Sequence, residues 1–426
     1  MALGLSESIF AASLPPVGST EQTDSLSPVS LAQLSQQLLS NNPQLRSAMS
    51  SAAAAQFAVE PAKALDNPSF NLTQDPLRGN PLAVGTSTGA TWSFSQNLLW
   101  PGKKQLSGDI AQAQASYTKE QVNQLKVQLL GQLKTTWVTW QQTKAQIQVA
   151  SAQADRLEQI KAIVKLRYAN NAGAYVDFIN AQVTQAQIQN DILGYQRQAQ
   201  ALQAQIAWLI GYTSEQELKL QVERISAQRE IAPLAQFKRL AFESNSTLKA
   251  SKFLLDAAQR NVELAELGRR PDFSVGVLSH SAAPPWGLGN SSGYGVSVGA
   301  TFPLYFASKE RHLIDQAKAQ LAAAREADDS LVQQIGLAVE TSYLQWAQSI
   351  EQLKLTEERI VEQARVGYRL ALTNYSNNQM PYMDLLNSYN ALRSAELAVE
   401  LARSTALQAR IALDVAVGDT EKKSQE

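Results

Sequence analysis

The residue types that carry most catalytic and metal-binding chemistry are scarce in this sequence. Its 426 residues include no Cys and two histidines, His280 and His312. Without Cys there is no disulfide, thiolate nucleophile, or cysteine-ligated zinc or iron–sulfur site, and two histidines leave little for a catalytic triad or a multi-histidine metal site. A Gly-x-Ser-x-Gly pattern at Gly295–Gly299 lies in a strand-like stretch, whereas a nucleophile elbow needs a strand-to-helix turn. The sequence therefore predicts a protein that is not an enzyme, with no cofactor and no tight metal site.

The charge balance and the hydropathy pattern narrow the function further. The chain carries 37 Lys and Arg against 38 Asp and Glu, whereas nucleic-acid binding generally uses a strongly basic surface. No stretch approaches the roughly 20 consecutive apolar residues that a transmembrane helix needs. We therefore expect no nucleic-acid partner, and any part that crosses a membrane would consist of β-strands.

The sequence repeats itself once, and the repeat predicts the organisation of the chain. Residues Ala55–Phe70 match Ala258–Phe273 at an offset of 203, and Tyr168–Asn180 match Tyr375–Asn387 at an offset of 207. We expect two copies of one unit of about 200 residues, too long for a solenoid repeat. The predicted segments are an N-terminal extended segment (1–29), a first repeat (30–211), a linker or equatorial segment (212–232), a second repeat (233–418) and a polar C-terminal tail (419–426).

Each predicted repeat contains a pair of short alternating segments joined by a loop, at about 68–100 and about 271–306. Alternation over about 9 to 11 residues predicts β-strands long enough to span a bilayer when tilted. Soluble hairpins would have similar segments. Aromatic residues near the segment ends favour membrane interfaces, and they are Trp92, Trp100, Trp286, Tyr294 and Tyr305.

Each pair of strands is followed by a long helical hairpin, at about 104–210 and about 309–417. A helix of about 60 residues rises roughly 90 Å, which no compact domain contains. The helices break at 169–174 and 376–381, where Asn, Gly and Pro favour turns. A soluble antiparallel coiled coil would explain the helices but leaves the paired hairpins unexplained.

Taken together, these features resemble the TolC-type outer membrane efflux protein family, the outer membrane factors, from about Ser30 to Gly418. The resemblance implies a mixed α+β membrane protein in which three chains build a 12-stranded β-barrel, four strands from each. The barrel continues into a long periplasmic α-helical barrel. The implied function is an exit duct in the bacterial outer membrane. The implied assembly is a homotrimer. Its partners would be outer membrane lipid, a periplasmic adaptor protein and an inner-membrane pump of the resistance-nodulation-division type.

One short segment points to a branch of that family. Residues Gln96–Lys104, QNLLWPGKK, resemble the segment after the first outer hairpin in heavy-metal efflux channels, the CzcC and CusC-like proteins. The resemblance implies heavy-metal cations as cargo. A type I protein-secretion or multidrug duct would have the same architecture, so both alternatives stay open.

The resemblance also implies functional residues at the helical turns. Asp384 and Asn387 fall on the two positions that carry gate aspartates in relatives, and Tyr375 falls on a gate tyrosine, while Met380 stands where relatives have an arginine. Asp384 could instead be a helix N-cap residue. For its counterpart Asp177, we favour this structural role over a role in the gate. The implied adaptor-docking residues are Asn170, Asn171, Gly173, Asn377 and Asn378.

Overall fold

The computed structural model describes residues 29–74, 90–212, 218–222, 231–281 and 293–419. Most of the predicted N-terminal segment, all but the first residue of the predicted C-terminal tail and both strand-connecting loops lie outside these residues. Within them, long helices extend away from a small antiparallel sheet. The chain is therefore mostly helical, and its apolar core is distributed along its length.

In each half of the chain, helices precede the strands. The first half has α1 (Leu31–Asn41), α2 (Pro43–Phe57) and α3 (Val59–Lys63). The Asn42 side chain accepts a hydrogen bond from the Leu45 backbone N–H at 2.9 Å and so caps α2. Its amide group donates to the Leu209 carbonyl at 2.8 Å, which fixes α2 against the C-terminal end of the first helical hairpin, opposite the hairpin's turn.

The second half repeats this arrangement with α6 (Leu234–Ser244) and α7 (Ser246–Leu267). Asn245 caps α7 by accepting from the Thr247 N–H at 2.9 Å, and its amide donates to the Ala416 carbonyl at 3.0 Å. Asn42 and Asn245 therefore have the same capping role, and each lies the same number of residues before the first strand of its half, which begins at Ser69 or Asp272.

The sheet contains β1 (Ser69–Gln74), β2 (Ala90–Leu98), β3 (Asp272–Ser281) and β4 (Gly293–Thr301). Its strand order is β1-β2-β3-β4 with every neighbouring pair antiparallel. The pairing of β2 with β3 joins the two halves of the chain. Strands β1 and β4 are edges, and their outer sides have no partner among the described residues.

The long helices follow the strands. Helix α4 runs without interruption from Lys103 to Ala169 and returns as α5 (Tyr175–Leu209); its 67 residues rise about 100 Å. The second long segment is α8 (Glu310–Leu355), a π-helical turn (Thr356–Ile360) and α9 (Val361–Ser376), and α10 (Tyr382–Val417) returns. The sequence predicted one long helical stretch here, and the structure adds a π-helical turn that the sequence pattern did not indicate.

Three clusters of buried side chains stabilise the helices along their length. The one nearest the chain entry contains Trp137 and Trp140, whose ring centroids are 5.4 Å apart, and its counterpart in the second half is built around Phe237 and Trp346. The third lies toward the helical turns. In the described part of the chain, no helix is both long and apolar enough to cross a membrane.

Candidate functional site

The two faces of the sheet differ in chemistry. Residues directly opposite one another on paired strands share a face, and successive residues alternate between faces. In the observed register, one face consists largely of apolar side chains, with Gln96 and Ser279 as polar members. The apolar members are Phe70, Leu72, Trp92, Phe94, Leu98, Phe273, Val275, Val277, Tyr294, Val296 and Val298.

The opposite face carries mostly small residues, and its one charged member in the described strands is Asp272, at the helical end. Its members include Ser69, Asn71, Ser93, Ser95, Asn97, Ser274, Gly276, Leu278, Gly295, Ser297 and Gly299. Most apolar residues of the first face are exposed to solvent in the chain alone. A contiguous exposed apolar face on a sheet marks an interaction surface, and this alternation is the pattern of strands with lipid on one side and water on the other.

The predicted interface aromatics lie at both ends of the sheet. Trp92 and Tyr294 flank Ser279 in one row near the loop end. Trp100 and Tyr305 follow β2 and β4, so they lie at the helical end. Trp286 lies outside the described residues.

The Pro-Gly-Lys segment forms the turn from β2 into α4. Gly102 has φ +96°, a left-handed conformation that favours glycine. The Lys103 ammonium contacts both Asp272 carboxylate oxygens, at 2.8 and 2.9 Å, and the Trp100 backbone N–H donates to the same carboxylate at 2.7 Å. The segment that suggested a metal-efflux branch is thus a strand-to-helix junction clamped to the start of β3.

At the far end of the helices, the turn between α4 and α5 forms the first tip (residues 166–180). Asn171 has φ +56°, its N–H donates to the Tyr168 carbonyl at 3.0 Å and the Ala172 N–H donates to the Arg167 carbonyl at 2.8 Å. These bonds form a Schellman motif that ends α4. Asparagine tolerates this backbone conformation, as the sequence indicated.

The second tip (residues 373–387) ends α9 with the same motif. Asn378 has φ +66°, its N–H donates to the Tyr375 carbonyl at 3.2 Å and the Gln379 N–H donates to the Asn374 carbonyl at 2.8 Å. Turn chemistry therefore accounts for the second asparagine of each Asn-Asn pair. Asn170 and Asn377 are exposed helix C-caps, and Gly173 is half-buried.

A cluster of three side chains, Arg167, Tyr375 and Tyr382, links the two tips. The Arg167 guanidinium lies 4.1 Å from the Tyr375 ring centroid and donates to the Tyr375 carbonyl at 2.7 Å and the Ala172 carbonyl at 2.9 Å. The two tyrosine rings meet edge to face at 6.0 Å between centroids. We call these three side chains the tip cluster; its cation–π contact and charge-assisted bonds hold the second tip against the first.

The tip-cluster tyrosines are buried, and their hydroxyl groups have no hydrogen-bond partner among the described residues. Relative exposure is 1% for Tyr375 and 3% for Tyr382. Burial, with smaller contributions from Tyr375 and Asp177, raises the pKa of Tyr382 to about 12. Burial also raises the pKa of Tyr375, an effect that Arg167 opposes and Asp177 reinforces. Both hydroxyls therefore stay protonated at neutral pH.

The residues implied as a gate lie in different environments. Asp384 and Asn387 are exposed in the first turns of α10. Pro381 occupies the N-cap position, so the interpretation of Asp384 as an N-cap is wrong. The Asp384 carboxylate makes no hydrogen bond within the described residues and sits where the helix dipole favours negative charge. Asp177 is half-buried and close enough to the tip-cluster tyrosines to affect their pKa values.

Sequence reasoning missed Arg167 and Tyr382. Tyr382 could have been found, because Tyr175 and Tyr382 match at the same offset of 207 as Tyr168 and Tyr375. Arg167 aligns with Asn374 at this offset, so a comparison of the two halves does not single it out. In the described part of the chain, no three His, Asp or Glu side chains are grouped as a metal ion would require.

Comparison with known proteins identifies the family. The outer membrane efflux protein model matches residues 34–212 and 239–419. The pyoverdine export outer membrane protein OpmQ of Pseudomonas putida is 22% identical over 343 residues, which cover 79% of this chain and 71% of OpmQ.

Two solved structures share the fold. CusC superposes with a TM-score of 0.81 at 16% identity, covering 91% of this chain and 92% of CusC. The outer-membrane channel OprN superposes with a TM-score of 0.78 at 17% identity, covering 91% of this chain and 89% of OprN. Since the matched segments span most of the sequence, the chain belongs to the outer membrane efflux protein family.

Proposed function

We propose that the protein is the outer membrane exit duct of a tripartite efflux system. It would passively conduct substrates received from an inner-membrane pump and a periplasmic adaptor. The observation that carries this proposal is the division of the four-stranded sheet into an apolar face and a face of mostly small residues. A channel wall needs such a pairing of a lipid-facing and a water-facing surface.

Three copies would close the sheet. In lipid, the unpaired backbone groups of β1 and β4 would cost several kcal/mol each, and pairing β4 of one chain with β1 of the next removes both edges. Three chains of four strands give 12 strands. The two segments matched by the family model support the predicted duplication.

The helices also carry surfaces that suit a ring of chains. On α5, Val176, Ile179 and Val183 form an exposed apolar stripe, and on the second long segment Leu337 and Leu344 are exposed one heptad apart. Stripes with this spacing pack against other helices. Their positions on different helices of the chain support contact with neighbouring copies and hence a periplasmic helical barrel.

For the gate, we propose that Asp384 and Asn387 surround the constriction where the second tips meet, and that the buried Tyr375 acts behind them within the tip cluster. Three Asp384 carboxylates around one axis would repel each other and attract cations. The tip cluster would hold each second tip in the closed position. The exposed asparagines of both turns, with Gly173, would receive the adaptor.

The cargo is proposed from resemblance alone. The Pro-Gly-Lys segment suggests heavy-metal cations, but its junction role involves no contact with a transported ion. OpmQ is named for pyoverdine export, a different cargo. Metal export by cells expressing the channel with each candidate pump would decide between them.

The proposed function is tested by purification in mild detergent, cross-linking and planar-bilayer recording. We expect cross-linking to stop at a trimer and the trimer to give discrete conductance steps. A monodisperse coiled coil that needs no detergent, or a monomer that keeps its β-structure in lipid, would overturn the proposal.

A further inference from the structure

The connection from β4 to α8 exposes large apolar side chains at the helical end of the sheet. Relative exposure is 61% for Phe302, 85% for Leu304 and 76% for Tyr305. In the first half, the corresponding connection from β2 to α4 is shorter, and its Trp100 packs on Phe273 with ring centroids 6.0 Å apart. The second connection therefore presents an apolar surface that the first lacks.

Four cationic side chains lie at the same level. Arg269 and Arg270 precede β3, and Lys309 and Arg311 lie where α8 begins. The pairing of Asp272 with Thr301 places the start of β3 beside the end of β4, and Lys318 of α8 pairs with Glu266 of α7 at 3.7 Å. The two pairs of cations therefore lie on adjoining segments at the helical end of the sheet. All four side chains are exposed.

These four charges are not neutralised by ion pairs within the described residues. The nearby Lys103 is paired with Asp272 and Lys104 with Asp66, each at 2.8 Å, whereas the Arg270 guanidinium lies over the Trp100 ring, 5.6 Å from its centroid. Lys309 and Arg311 also oppose the dipole of α8, whose N-terminus is already positive; Glu310 is the acidic residue of that turn. The surface is therefore electropositive. Because Lys309 and Arg311 do not stabilise the helix on which they lie, their presence has another explanation.

We propose that this surface, the basic rim (Arg269, Arg270, Lys309 and Arg311 with Leu304 and Tyr305), binds the phosphate headgroups of anionic phospholipid in the membrane leaflet on the helical side. Leu304 and Tyr305 enter the acyl boundary while the cations remain at headgroup depth. The proposal rests on membrane insertion of the sheet, which is part of the proposed function.

Continuity with the sheet favours lipid as the occupant. Phe302 continues the alternation of Val298 and Ala300, so the apolar face runs directly into the connection. Aromatic side chains bordered by Lys and Arg are typical of the boundary between acyl chains and headgroups. A second copy of the chain is the competing occupant, because the proposed trimer places β1 of the next chain along β4.

The test is native mass spectrometry of the full-length assembly after reconstitution into mixed phosphatidylglycerol and phosphatidylcholine. A quadruple variant, R269Q/R270Q/K309Q/R311Q, is compared with a control that removes four exposed cations on the long helices away from the sheet, K165Q/K354Q/R359Q/R369Q. We expect the wild type and the control to retain phosphatidylglycerol at least fivefold over phosphatidylcholine. The rim variant should lose most of this preference, and raised salt should weaken it in the wild type.

Other results would overturn the proposal. Equal retention of both lipids by the inserted wild type, or an unchanged preference in the rim variant, would place headgroup binding elsewhere. If Leu304→Ser with Tyr305→Ser dissociates the assembly and leaves lipid preference intact, a second copy covers the connection. Failure of the wild type to insert into bilayers would instead contradict the proposed function.

Discussion

The two helical tips have the same turn and different surroundings. Each ends its helix with an asparagine in the left-handed region, and each carries a pair of packed tyrosines seven residues apart. Tyr168 and Tyr175 of the first tip are 49% and 55% exposed, whereas Tyr375 and Tyr382 of the second are buried. The second pair packs in the buried cluster with Ile160 and Val164, and Arg167, which has no counterpart in the second half, reaches from the first tip to Tyr375. Duplicated sequence therefore reproduces the local turn, whereas contacts between the two halves make the environments unequal.

The largest expected effect comes from truncating one tyrosine in each tip. Tyr382→Ala should lower the free energy of local opening by about 3 to 4 kcal/mol, because a buried ring is removed. Tyr175→Ala should cost about 1 kcal/mol or less. Hydrogen exchange of the tip amides measures both. Equal losses would mean that a neighbouring chain covers Tyr175 in the assembly and would end the contrast between the tips.

Arg167→Ala should have the next largest effect. It removes two charge-assisted hydrogen bonds and a cation–π contact, so we expect the second tip to open more easily by about 2 to 3 kcal/mol. Exchange at residues 373–387 should rise, and channels in planar bilayers should open more often. The matched control is Arg365→Ala, an exposed α9 residue whose ion pair among the described residues is with Glu362, at 2.6 Å. It should change opening by no more than about 0.5 kcal/mol. Wild-type behaviour of Arg167→Ala would remove the explanation given for the asymmetry.

Alkaline pH should weaken the second tip through Tyr382. In the folded protein the pKa of Tyr382 is about 12, above the usual value of 10. Its contribution to the free energy of tip opening is therefore complete below pH 10 and is lost as the pH rises from 10 to 12. The loss should be about 2 kcal/mol, since only the opened state ionises readily in that window. Tyr382→Phe should remove this share of the pH dependence with little effect at pH 7, because the hydroxyl has no partner in the described structure. Burial also raises the pKa of Tyr375, so a smaller dependence should remain. Tyrosinate absorbance measures the pKa of the tyrosine, and hydrogen exchange measures the free energy of tip opening. An unchanged pH profile in Tyr382→Phe would assign the titration to another group.

The sequence predicted the elements better than their contacts. Alternating segments and long amphipathic stretches gave the strands and helices because these patterns depend on residues close in the chain. The tip turns were predictable for the same reason. Arg167 was not, because its contacts with Tyr375 span 208 positions and no local pattern encodes them. The π turn was also missed, since its residues TEERI have ordinary helix-forming composition.

The smallest effect on stability, and a specific one on conduction, should come from the two tip carboxylates. Asp384 is exposed and Asp177 is half-buried beside the tip-cluster tyrosines, so only Asp384 is free to face a common axis. In planar bilayers, divalent or trivalent cations added from the helical side should block wild-type channels. Asp384→Ala should weaken block several-fold, because three charges leave one constriction, while its stability should stay within about 0.5 kcal/mol of wild type. Asp177→Ala should change block less. Equal block in the wild type and Asp384→Ala would place the constriction elsewhere, and stronger relief by Asp177→Ala would assign the pore-facing charge to the first tip.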